Sequence, residues 1–445
     1  MKFSENIFRA YDIRGVYESE ITPELMMELG KAFGTHIKSG SEIVVGRDTR
    51  FSSQLLELAF CSGVLLTGVD VIDLGVSPIG MLSLGISRLK TRGGALIGAS
   101  HNPLEFNGIK FFSEGGLYST KLNEKIKRIF KSRKFRIERK KVGKFEVRDI
   151  KKKYIEFVAS KVKIERKLRV GIDCMNGSTS VIASDLFKEI GIETFLLHTK
   201  TRLLSTPEPL PEKVRSLRVL IRKRKLDLGF AFDGDGDRLL VLDEFGNAIS
   251  SSKIGAFLIK TFARKNDRIV ANVECSSILE EVSSEVGAKV IRVRVGRTFT
   301  LEALEKYGGI IGIERVGHFF LPKVSKIDDA LLISAKICEL ISKLNKSFSE
   351  IMKEIPEYPS KRISVFCPDE KKFRVVENLS RKFEKKFRVE KIDGVKIILD
   401  DAWVLVRASN TEPAIRINVE ARNKKKLEEL VKKYVKIVRK EVRKV

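Results

Sequence analysis

An acidic run constrains the fold of this chain more than any other feature of the sequence. Residues 233–237 read Asp-Gly-Asp-Gly-Asp and lie between two apolar, strand-like segments. Alternate residues of an extended segment point the same way, so the carboxylates of Asp233, Asp235 and Asp237 can face one point. Like charges this close repel each other unless a hard cation lies between them, and the glycines let the backbone bend around that ion. The run therefore predicts a metal site at a strand end.

Two other interpretations of the run stay open at this point. A calcium-binding EF-hand loop counted from Asp233 has Glu244 at its twelfth position, but it has Arg238 at the sixth, where that loop needs Gly. Its flanks are also strand-like, whereas an EF-hand needs helices. The second alternative is an acidic turn without an ion. Arg238 argues against it, because a cation beside a bound metal indicates that an anionic ligand also arrives there.

A second motif places a serine after another apolar segment. Residues 98–103 read Gly-Ala-Ser-His-Asn-Pro, and the small residues before Ser100 predict an accessible hydroxyl next to a turn. A serine hydroxyl alone is a poor nucleophile and needs a base, a metal or a prior modification. The sequence has no Gly-x-Ser-x-Gly elbow, which disfavours a serine protease or esterase triad. An ordinary loop in which His101 bonds a nearby carbonyl is the alternative.

Two further loops carry polar residues suited to a phosphorylated ligand. Residues 407–413 read Arg-Ala-Ser-Asn-Thr-Glu-Pro, and Arg416 follows, so two guanidinium groups stand with several hydroxyl and amide donors. Residues 314–318 read Glu-Arg-Val-Gly-His and offer one carboxylate and one imidazole. Taken alone, each motif also fits a solvated polar turn.

These four motifs, in this order, resemble those of the α-D-phosphohexomutases, the family of phosphomannomutases, phosphoglucomutases and phosphoglucosamine mutases. The resemblance covers nearly the whole chain. It also includes Phe-Arg-Ala-Tyr-Asp-Ile-Arg-Gly at residues 8–15, Val-Gly-Arg-Asp at residues 45–48 and Asn-Gly-Ile-Lys at residues 107–110. It implies an isomerase that moves phosphate reversibly between O6 and O1 of a hexose through a phosphoserine and a hexose 1,6-bisphosphate, which also serves as activator.

The resemblance implies a role for each matching residue. Ser100 would be the phosphoserine, and one Mg²⁺ would be held by Asp233, Asp235 and Asp237 together with a phosphate oxygen on Ser100. Contact with the reacting phosphate or proton transfer is implied for Arg14, His101, Lys110, Arg238 and His318. Glu314 would accept hydrogen bonds from sugar hydroxyls. The phosphate that is not reacting would be bound by Arg407, Ser409, Asn410, Thr411 and Arg416.

The chain departs from the family pattern in two places. Ile313 and Val316 stand where relatives usually have Gly and Ser, and Val316 cannot donate a hydrogen bond to a sugar hydroxyl. Arg294 stands where Lys is common, and Arg297 where Arg is rare. Asn410 resembles the phosphomannomutase branch, since phosphoglucosamine mutases usually have Gly there. Mannose and glucose phosphates are thus the expected substrates, and a phosphoglucosamine mutase is the alternative.

Apolar strands alternate with amphipathic helices, and three β-α-β units predict three related α/β domains. The expected fold is three α/β domains with mixed sheets plus a smaller C-terminal α+β domain, which the resemblance adds, around a central cleft. In chain order these domains would carry the phosphoserine, metal, sugar-binding and phosphate-binding loops. Their expected limits are residues 1–150, 151–252, 253–360 and 361–445.

The resemblance does not explain the net charge of +27. The excess lies in residues 131–169, 213–225 and 422–445. The last two have apolar residues at helical spacing, which predicts amphipathic helices with basic solvent faces. A protein that binds nucleic acid through these faces on a mutase-like scaffold is the alternative from another class. Nucleic acid is nevertheless not an expected partner, because no RNA-binding or recognition-helix motif is present. A third alternative binds sugar phosphate without turnover.

Other features predict a cytoplasmic enzyme, either a monomer or a homo-oligomer. The five cysteines are scattered without a close pair, which argues against a disulfide framework or a zinc site. Charges near the N-terminus argue against a signal peptide. Asp70, Asp73 and Pro78 interrupt the most apolar stretch, so no membrane span is expected. The single glutamine among many Lys, Arg and Glu residues is typical of heat-adapted proteins.

Overall fold

The computed structural model describes residues 5–9, 12–409 and 412–445. The chain forms two compact units. The first comprises Met1–Ser250 and Val316–Met352, and the second comprises Ser251–Arg315 and Lys353–Val445. None of the helices in the described part of the chain combines the length and the hydropathy of a bilayer-spanning segment.

The first sheet of the first unit is mixed and six-stranded. Its strands are β1 (Ile13–Val16), β2 (Glu42–Arg47), β3 (Asp70–Val76), β4 (Gly93–Ile97), β5 (Phe106–Ser113) and β6 (Phe145–Val147). They lie in the order β1-β5-β4-β2-β3-β6, in which β5 runs antiparallel to both of its neighbours and the pairs from β4 to β6 are parallel. The helices of this segment are α1 (Pro23–His36), α2 (Ser53–Leu65), α3 (Ile79–Arg88), α4 (Thr120–Ser132) and α5 (Lys151–Ala159). Every residue of β4 is buried, so the strand that leads into the serine loop is held rigidly.

The second sheet of the first unit is also mixed. Its strands are β7 (Arg169–Asp173), β8 (Glu193–Leu197), β9 (Leu228–Phe232), β10 (Leu239–Leu242) and β11 (Ala248–Ile249), and its helices are α6 (Ala183–Glu189) and α7 (Arg215–Arg224). The strands lie in the order β11-β10-β9-β7-β8, with β9, β7 and β8 parallel and β10 and β11 in antiparallel pairs. The acidic run connects β9 to β10, so it lies at the carboxyl end of the parallel strands, where ligands commonly bind.

The second unit begins with a parallel β-α layer. Its elements are α8 (Ser251–Phe262), β12 (Arg268–Asn272), α9 (Ile278–Glu285), β13 (Lys289–Val293), α10 (Arg297–Tyr307) and β14 (Ile311–Ile313), with strand order β13-β12-β14. Ile313 is fully buried, and a Cβ added to Gly255 of α8 would lie 2.6 Å from its Cδ1. The chain then returns to the first unit as β15 (Phe319–Phe320), α11 (Ala330–Ser342) and α12 (Phe348–Lys353).

The last segment is an antiparallel sheet with two helices. Its elements are β16 (Ser360–Phe366), α13 (Asp369–Glu384), β17 (Arg388–Glu390), β18 (Val395–Ile398), β19 (Ala402–Ala408), β20 (Ala414–Ala421) and α14 (Lys424–Lys444), with strand order β16-β20-β19-β18-β17. The amphipathic helix predicted within residues 422–445 is confirmed, because Leu427, Leu430, Tyr434 and Val438 are buried. The helix predicted within residues 213–225 is confirmed as α7.

The predicted fold class is confirmed. Mixed and parallel sheets with helices occupy the chain up to the region of α12, and a smaller α+β segment follows. All five cysteines are buried free thiols.

Two glycines let the backbones of α1 and α2 approach each other closely. A Cβ on Gly30 of α1 would overlap the carbonyl oxygen of Phe60, and a Cβ on Gly63 of α2 would overlap that of Met27. Both contacts are with backbone atoms, which cannot move aside as a flexible side chain can. These helices pack on the same apolar core as the first sheet, so their spacing affects the whole layer.

We expect Gly63→Ala to destabilise the protein by about 1–3 kcal/mol, because the added methyl group must push two packed helices apart. The measurement is the midpoint of unfolding in guanidinium chloride. The matched control is Ser62→Ala, which changes an exposed residue of the same helix. Equal midpoints for the two variants would contradict the role assigned to the glycine contact.

Candidate active site

Ser100 lies directly after β4 in a left-handed backbone conformation. Its φ of 50° is uncommon for a residue with a side chain, and such strain occurs mainly at functional sites. The expectation of an accessible hydroxyl is wrong, because Ser100 is only 2% exposed. The acidic loop covers it: the hydroxyl donates a 2.6 Å hydrogen bond to Asp233 Oδ2 and lies 3.2 Å from His101 Nδ1.

A buried arginine fixes the serine loop from the other side. Arg50 Nη2 donates hydrogen bonds to the carbonyl oxygens of Ser100 (2.9 Å) and Asn102 (2.7 Å). Its Nη1 bonds the carbonyl oxygen of Pro103, and its Nε lies 3.1 Å from Asp48 Oδ2. Arg50 belongs to none of the sequence motifs, although it lies two residues after the Val-Gly-Arg-Asp segment. Its donors hold the backbone that presents Ser100.

The acidic loop brings its three carboxylates together, as the spacing predicts. Asp233, Asp235 and Asp237 are all buried, and each offers an oxygen within 4.8 Å of the others. Burial raises the pKa of Asp233 well above its ordinary value, and the charges of Asp237 and Asp235 raise it further. Lys110 of β5 pairs with Asp235 and, at 3.3 Å, with Asp237, so one ammonium faces three carboxylates. The excess negative charge and the hard oxygen donors fit a divalent cation such as Mg²⁺.

Backbone contacts hold the first carboxylate in place. Asp233 Oδ1 accepts hydrogen bonds of 3.1 Å from the backbone N–H groups of Gly236, Asp237 and Arg238. Its other oxygen accepts the hydroxyl of Ser100. Gly234 is required for this approach, because a Cβ there would lie 2.6 Å from the Ser100 carbonyl oxygen. The two loops are thus packed backbone to backbone within the first unit.

An aspartate that the motifs did not single out orients His318. The aspartate is Asp328, whose Oδ2 lies 2.7 Å from His318 Nδ1. The same nitrogen lies 3.6 Å from Asp237 Oδ1. Arg238 Nε donates a 3.2 Å hydrogen bond to His318 Nε2, which assigns the proton of the neutral ring to Nδ1. Tyr118 also bonds Asp328. The sequence feature that could have indicated this role of Asp328 is the Asp-Asp pair at residues 328–329, directly before the apolar helix α11.

His101 is held neutral beside Ser100. Burial lowers its pKa well below the ordinary value, and the charges of Arg238 and Arg14 lower it further. Arg238 Nη2 lies 3.1 Å from His101 Nε2. Arg14 of β1 donates a 2.6 Å hydrogen bond to Asn102 Oδ1 and pairs with Asp12 at 2.7 Å. Together with Arg50, these two residues make three arginines of the first unit that contact the serine loop.

The second unit holds the predicted sugar-binding carboxylate. Glu314 is buried after β14 and accepts a 2.7 Å hydrogen bond from Thr300 Oγ1. Arg294 lies over the ring of Phe299, 5.1 Å from its centroid. Arg297 is buried at the start of α10.

The predicted phosphate-binding residues lie at the β19–β20 turn of the second unit. Arg407 is buried, and its Nε donates a 2.7 Å hydrogen bond to Glu274 Oε1. Lys372 Nζ bonds the Ser409 carbonyl oxygen at 2.7 Å and so ties the turn to α13. Arg416 pairs with Glu412 of the same turn. Two predicted residues, Asn410 and Thr411, lie outside the described residues. Sequence reasoning missed Glu274 and Lys372, which belong to no motif.

Models of one protein family match most of the chain. The matches are "Phosphoglucomutase/phosphomannomutase, alpha/beta/alpha domain I" at residues 5–137, domain II at residues 152–246, domain III at residues 250–358 and the C-terminal domain at residues 363–437.

Curated relatives and a solved structure agree with these matches. A "Probable phosphoglucosamine mutase" of Thermococcus gammatolerans is 35% identical, with 98% of this chain and 99% of the relative covered. A "Phosphoglucomutase/phosphomannomutase" of Thermococcus kodakarensis is 36% identical, with 97% and 98% covered. A phosphoglucomutase/phosphomannomutase family protein of Burkholderia thailandensis has a similar crystal structure, with a TM-score of 0.88, 25% identity, and 99% and 98% of the chains covered. The chain therefore belongs to the phosphoglucomutase/phosphomannomutase family, within the phosphohexomutases.

Proposed function

We propose that this protein is a mutase that moves phosphate reversibly between O6 and O1 of a hexose, with Ser100 as the phosphoserine and a hexose 1,6-bisphosphate as intermediate and activator. The observation that carries the proposal is the 2.6 Å hydrogen bond from Ser100 Oγ to Asp233 Oδ2. It puts the atom that would carry the phosphoryl group against the carboxylate cluster, although the two residues are far apart in the chain. Phosphoryl transfer is catalysed mainly by positioning and charge neutralisation, which this contact serves.

Asp233, Asp235 and Asp237, with a phosphate oxygen on Ser100, would hold Mg²⁺. When bound, the ion offsets charge that develops on the transferring phosphoryl group. Lys110 adds a fixed positive charge from β5 through its pairs with Asp235 and Asp237. This ammonium limits the repulsion among the buried carboxylates.

The arginines and histidines of the first unit would handle the remaining charges and the proton. Arg14 and Arg238 would donate to oxygens of the reacting phosphate. When Arg238 turns to phosphate, Nε2 of His318 can accept the proton of the attacking sugar hydroxyl, while Asp328 keeps the ring oriented. His101, held neutral, would order the Ser100 loop.

Residues of the last sheet and its β19–β20 turn would bind the phosphate that is not reacting. Because the bisphosphate must present either phosphate to Ser100, the far-end grip must accept both orientations. Arg407, Ser409, Asn410, Thr411 and Arg416 offer guanidinium, hydroxyl and amide donors that suit any phosphate. Glu314 would accept hydrogen bonds from sugar hydroxyls.

We propose mannose and glucose phosphates as substrates, because Asn410 stands in the Arg407 motif. Glucosamine phosphate is the second candidate, because several relatives at 33–36% identity carry the name "Probable phosphoglucosamine mutase". The relative named "Phosphoglucomutase/phosphomannomutase" is 36% identical, so identity alone favours neither sugar.

Ser100→Ala should lower kcat by about 10³-fold or more, because the phosphoryl carrier is removed while the fold is kept. A coupled assay of glucose 1-phosphate conversion measures this. Transfer of labelled phosphate from glucose 1,6-bisphosphate to the protein should disappear as well. Ser160→Ala, at an exposed serine of the same unit, is the control. Near wild-type turnover by Ser100→Ala would rule out the phosphoserine assignment.

Mg²⁺ should raise the unfolding temperature of the protein, because an ion that binds only the folded state stabilises it by about 2.7 kcal/mol at 100 times its Kd. Thermal unfolding in EDTA and in excess Mg²⁺ measures the difference. Asp235→Asn should lose most of the gain, whereas Asp185→Asn, at an exposed position on α6, should keep it. Identical Mg²⁺ responses of the two variants would contradict the proposed metal site.

A parallel assay of mannose, glucose and glucosamine phosphates, with Mg²⁺ and a trace of bisphosphate, separates the candidate substrates. We expect mannose and glucose phosphates to have the higher kcat/KM. If glucosamine phosphate is preferred about tenfold, the second candidate replaces the first, since that ratio corresponds to about 1.4 kcal/mol in the transition state. Binding of all three without turnover would reject the mutase proposal.

A further inference from the structure

One face of the last sheet carries arginines on three adjacent strands. Arg407 on β19 is the register partner of Arg416 on β20, and Arg416 pairs with Ser364 on β16. Arg362 lies two residues before Ser364, and residues two apart on a strand share a face. The side chains of Arg362, Arg407 and Arg416 therefore leave the sheet on the same face. Like charges on neighbouring strands destabilise a sheet unless something compensates them.

Glu274 compensates part of this charge. Its Oε1 accepts hydrogen bonds from Arg407 Nε at 2.7 Å and from Asn418 Nδ2 at 3.3 Å. Burial would raise the pKa of Glu274, but the charges of Arg407 and Arg362 outweigh it and leave the pKa below its ordinary value. Glu274 is thus a buried carboxylate that holds Arg407 in one orientation. Arg416 has separate partners, because it pairs with Glu412 and bonds Ser364.

Arg362 differs from Arg407 and Arg416 in its contacts and exposure. It makes no hydrogen bond or ion pair with any residue in the described ranges, and its side chain is exposed. Removal from water lowers its pKa, although Glu274 opposes the shift, and the charges of Arg416 and Arg407 lower it further. Arg362 is thus an exposed guanidinium group on a face that already carries two like charges. A cation placed there among like charges is stabilised when an anion arrives.

A charge that only protects a sheet edge is the ordinary alternative, because β16 is an edge strand. The neighbouring residue Lys361 is an example of a charge that only protects the sheet edge. It is an exposed cation on the same strand, but the pleat turns it to the opposite face from Arg407 and Arg416. Arg362 instead stands on the face where two other guanidinium groups raise the cost of a third. Lys361 therefore provides a matched control.

We propose that Arg362 is a third phosphate-binding arginine, which acts beside Arg407 and Arg416 on the phosphate that is not reacting. The inference rests on the proposed function, because its ligand is the phosphate group of a hexose phosphate. Guanidinium groups bind phosphate oxygens in a bidentate way, and two of them can hold a dianion from two sides. Glu274 leaves Arg407 with a fixed orientation, while Arg362 is available to close on the anion.

Steady-state kinetics of the full-length, Mg²⁺-loaded protein tests the assignment. Arg362→Met should raise KM about tenfold and leave kcat within about threefold, because a charge-assisted hydrogen bond to substrate is lost in ground and transition states alike. Arg362→Lys should recover part of the loss, since a point charge remains without the bidentate fork. Lys361→Met should match the wild type. If Arg362→Met has the KM of Lys361→Met, the assignment is wrong.

A binding measurement separates this inference from the proposed function. Calorimetric titration with glucose 6-phosphate should show about tenfold weaker binding to Arg362→Met, and inorganic phosphate should show the same order of loss. If the wild-type protein binds glucose 6-phosphate without turnover and Arg362→Met binds it weakly, the mutase proposal fails and the Arg362 assignment stands. If both the Met and the Lys variants have a lowered unfolding temperature together with equal losses of binding, Arg362 has a structural role and the assignment is overturned.

Discussion

The burial of three carboxylates beside one serine is the constraint on which the rest of the first unit depends. A buried carboxylate is costly unless hydrogen bonds and opposite charges compensate it. Asp233 is compensated by three backbone N–H groups and the Ser100 hydroxyl, and Lys110 serves the other two carboxylates. These partners come from β4, β5 and the β9–β10 connection, so both sheets of the unit must be in place before the cluster is satisfied. Gly234 lets the acidic loop approach the backbone of Ser100, because a Cβ there would lie 2.6 Å from the Ser100 carbonyl oxygen.

The second unit has the opposite charge arrangement. Three arginines lie on one sheet face, and the buried carboxylate of Glu274 pairs with one of them, Arg407. One unit thus favours a cation and the other an anion. The basic residues of α7 and α14 serve neither cluster, since their apolar sides are buried and their charges face solvent. The charge of these two helices is therefore separate from the chemistry of the site.

The local sequence pattern was sufficient to predict some features of the structure and insufficient to predict others. The acidic loop and the helix α14 were predictable because spacing along an extended segment or a helix determines which side chains share a face. The burial of Ser100 was not predictable, because the residue that covers it, Asp233, is 133 positions away in the chain. Arg50 and Asp328 were missed for the same reason. Each residue acts through partners on other helices, strands or loops, and contacts between distant parts of the chain leave no pattern in the local sequence.

The departures from the family pattern do not carry equal weight for the sugar. Ile313 is fully buried against α8 opposite Gly255, so its size fills space between a helix and a strand and does not bear directly on a hydroxyl contact. Arg294 lies on the ring of Phe299, which accounts for its position by packing and a cation–π contact. Val316 is half-buried, and its side chain lacks a donor for a sugar hydroxyl. We therefore expect substrate preference to depend on Val316 more than on Ile313 or Arg294, and Val316→Ser is the change that would alter it with least effect on the core.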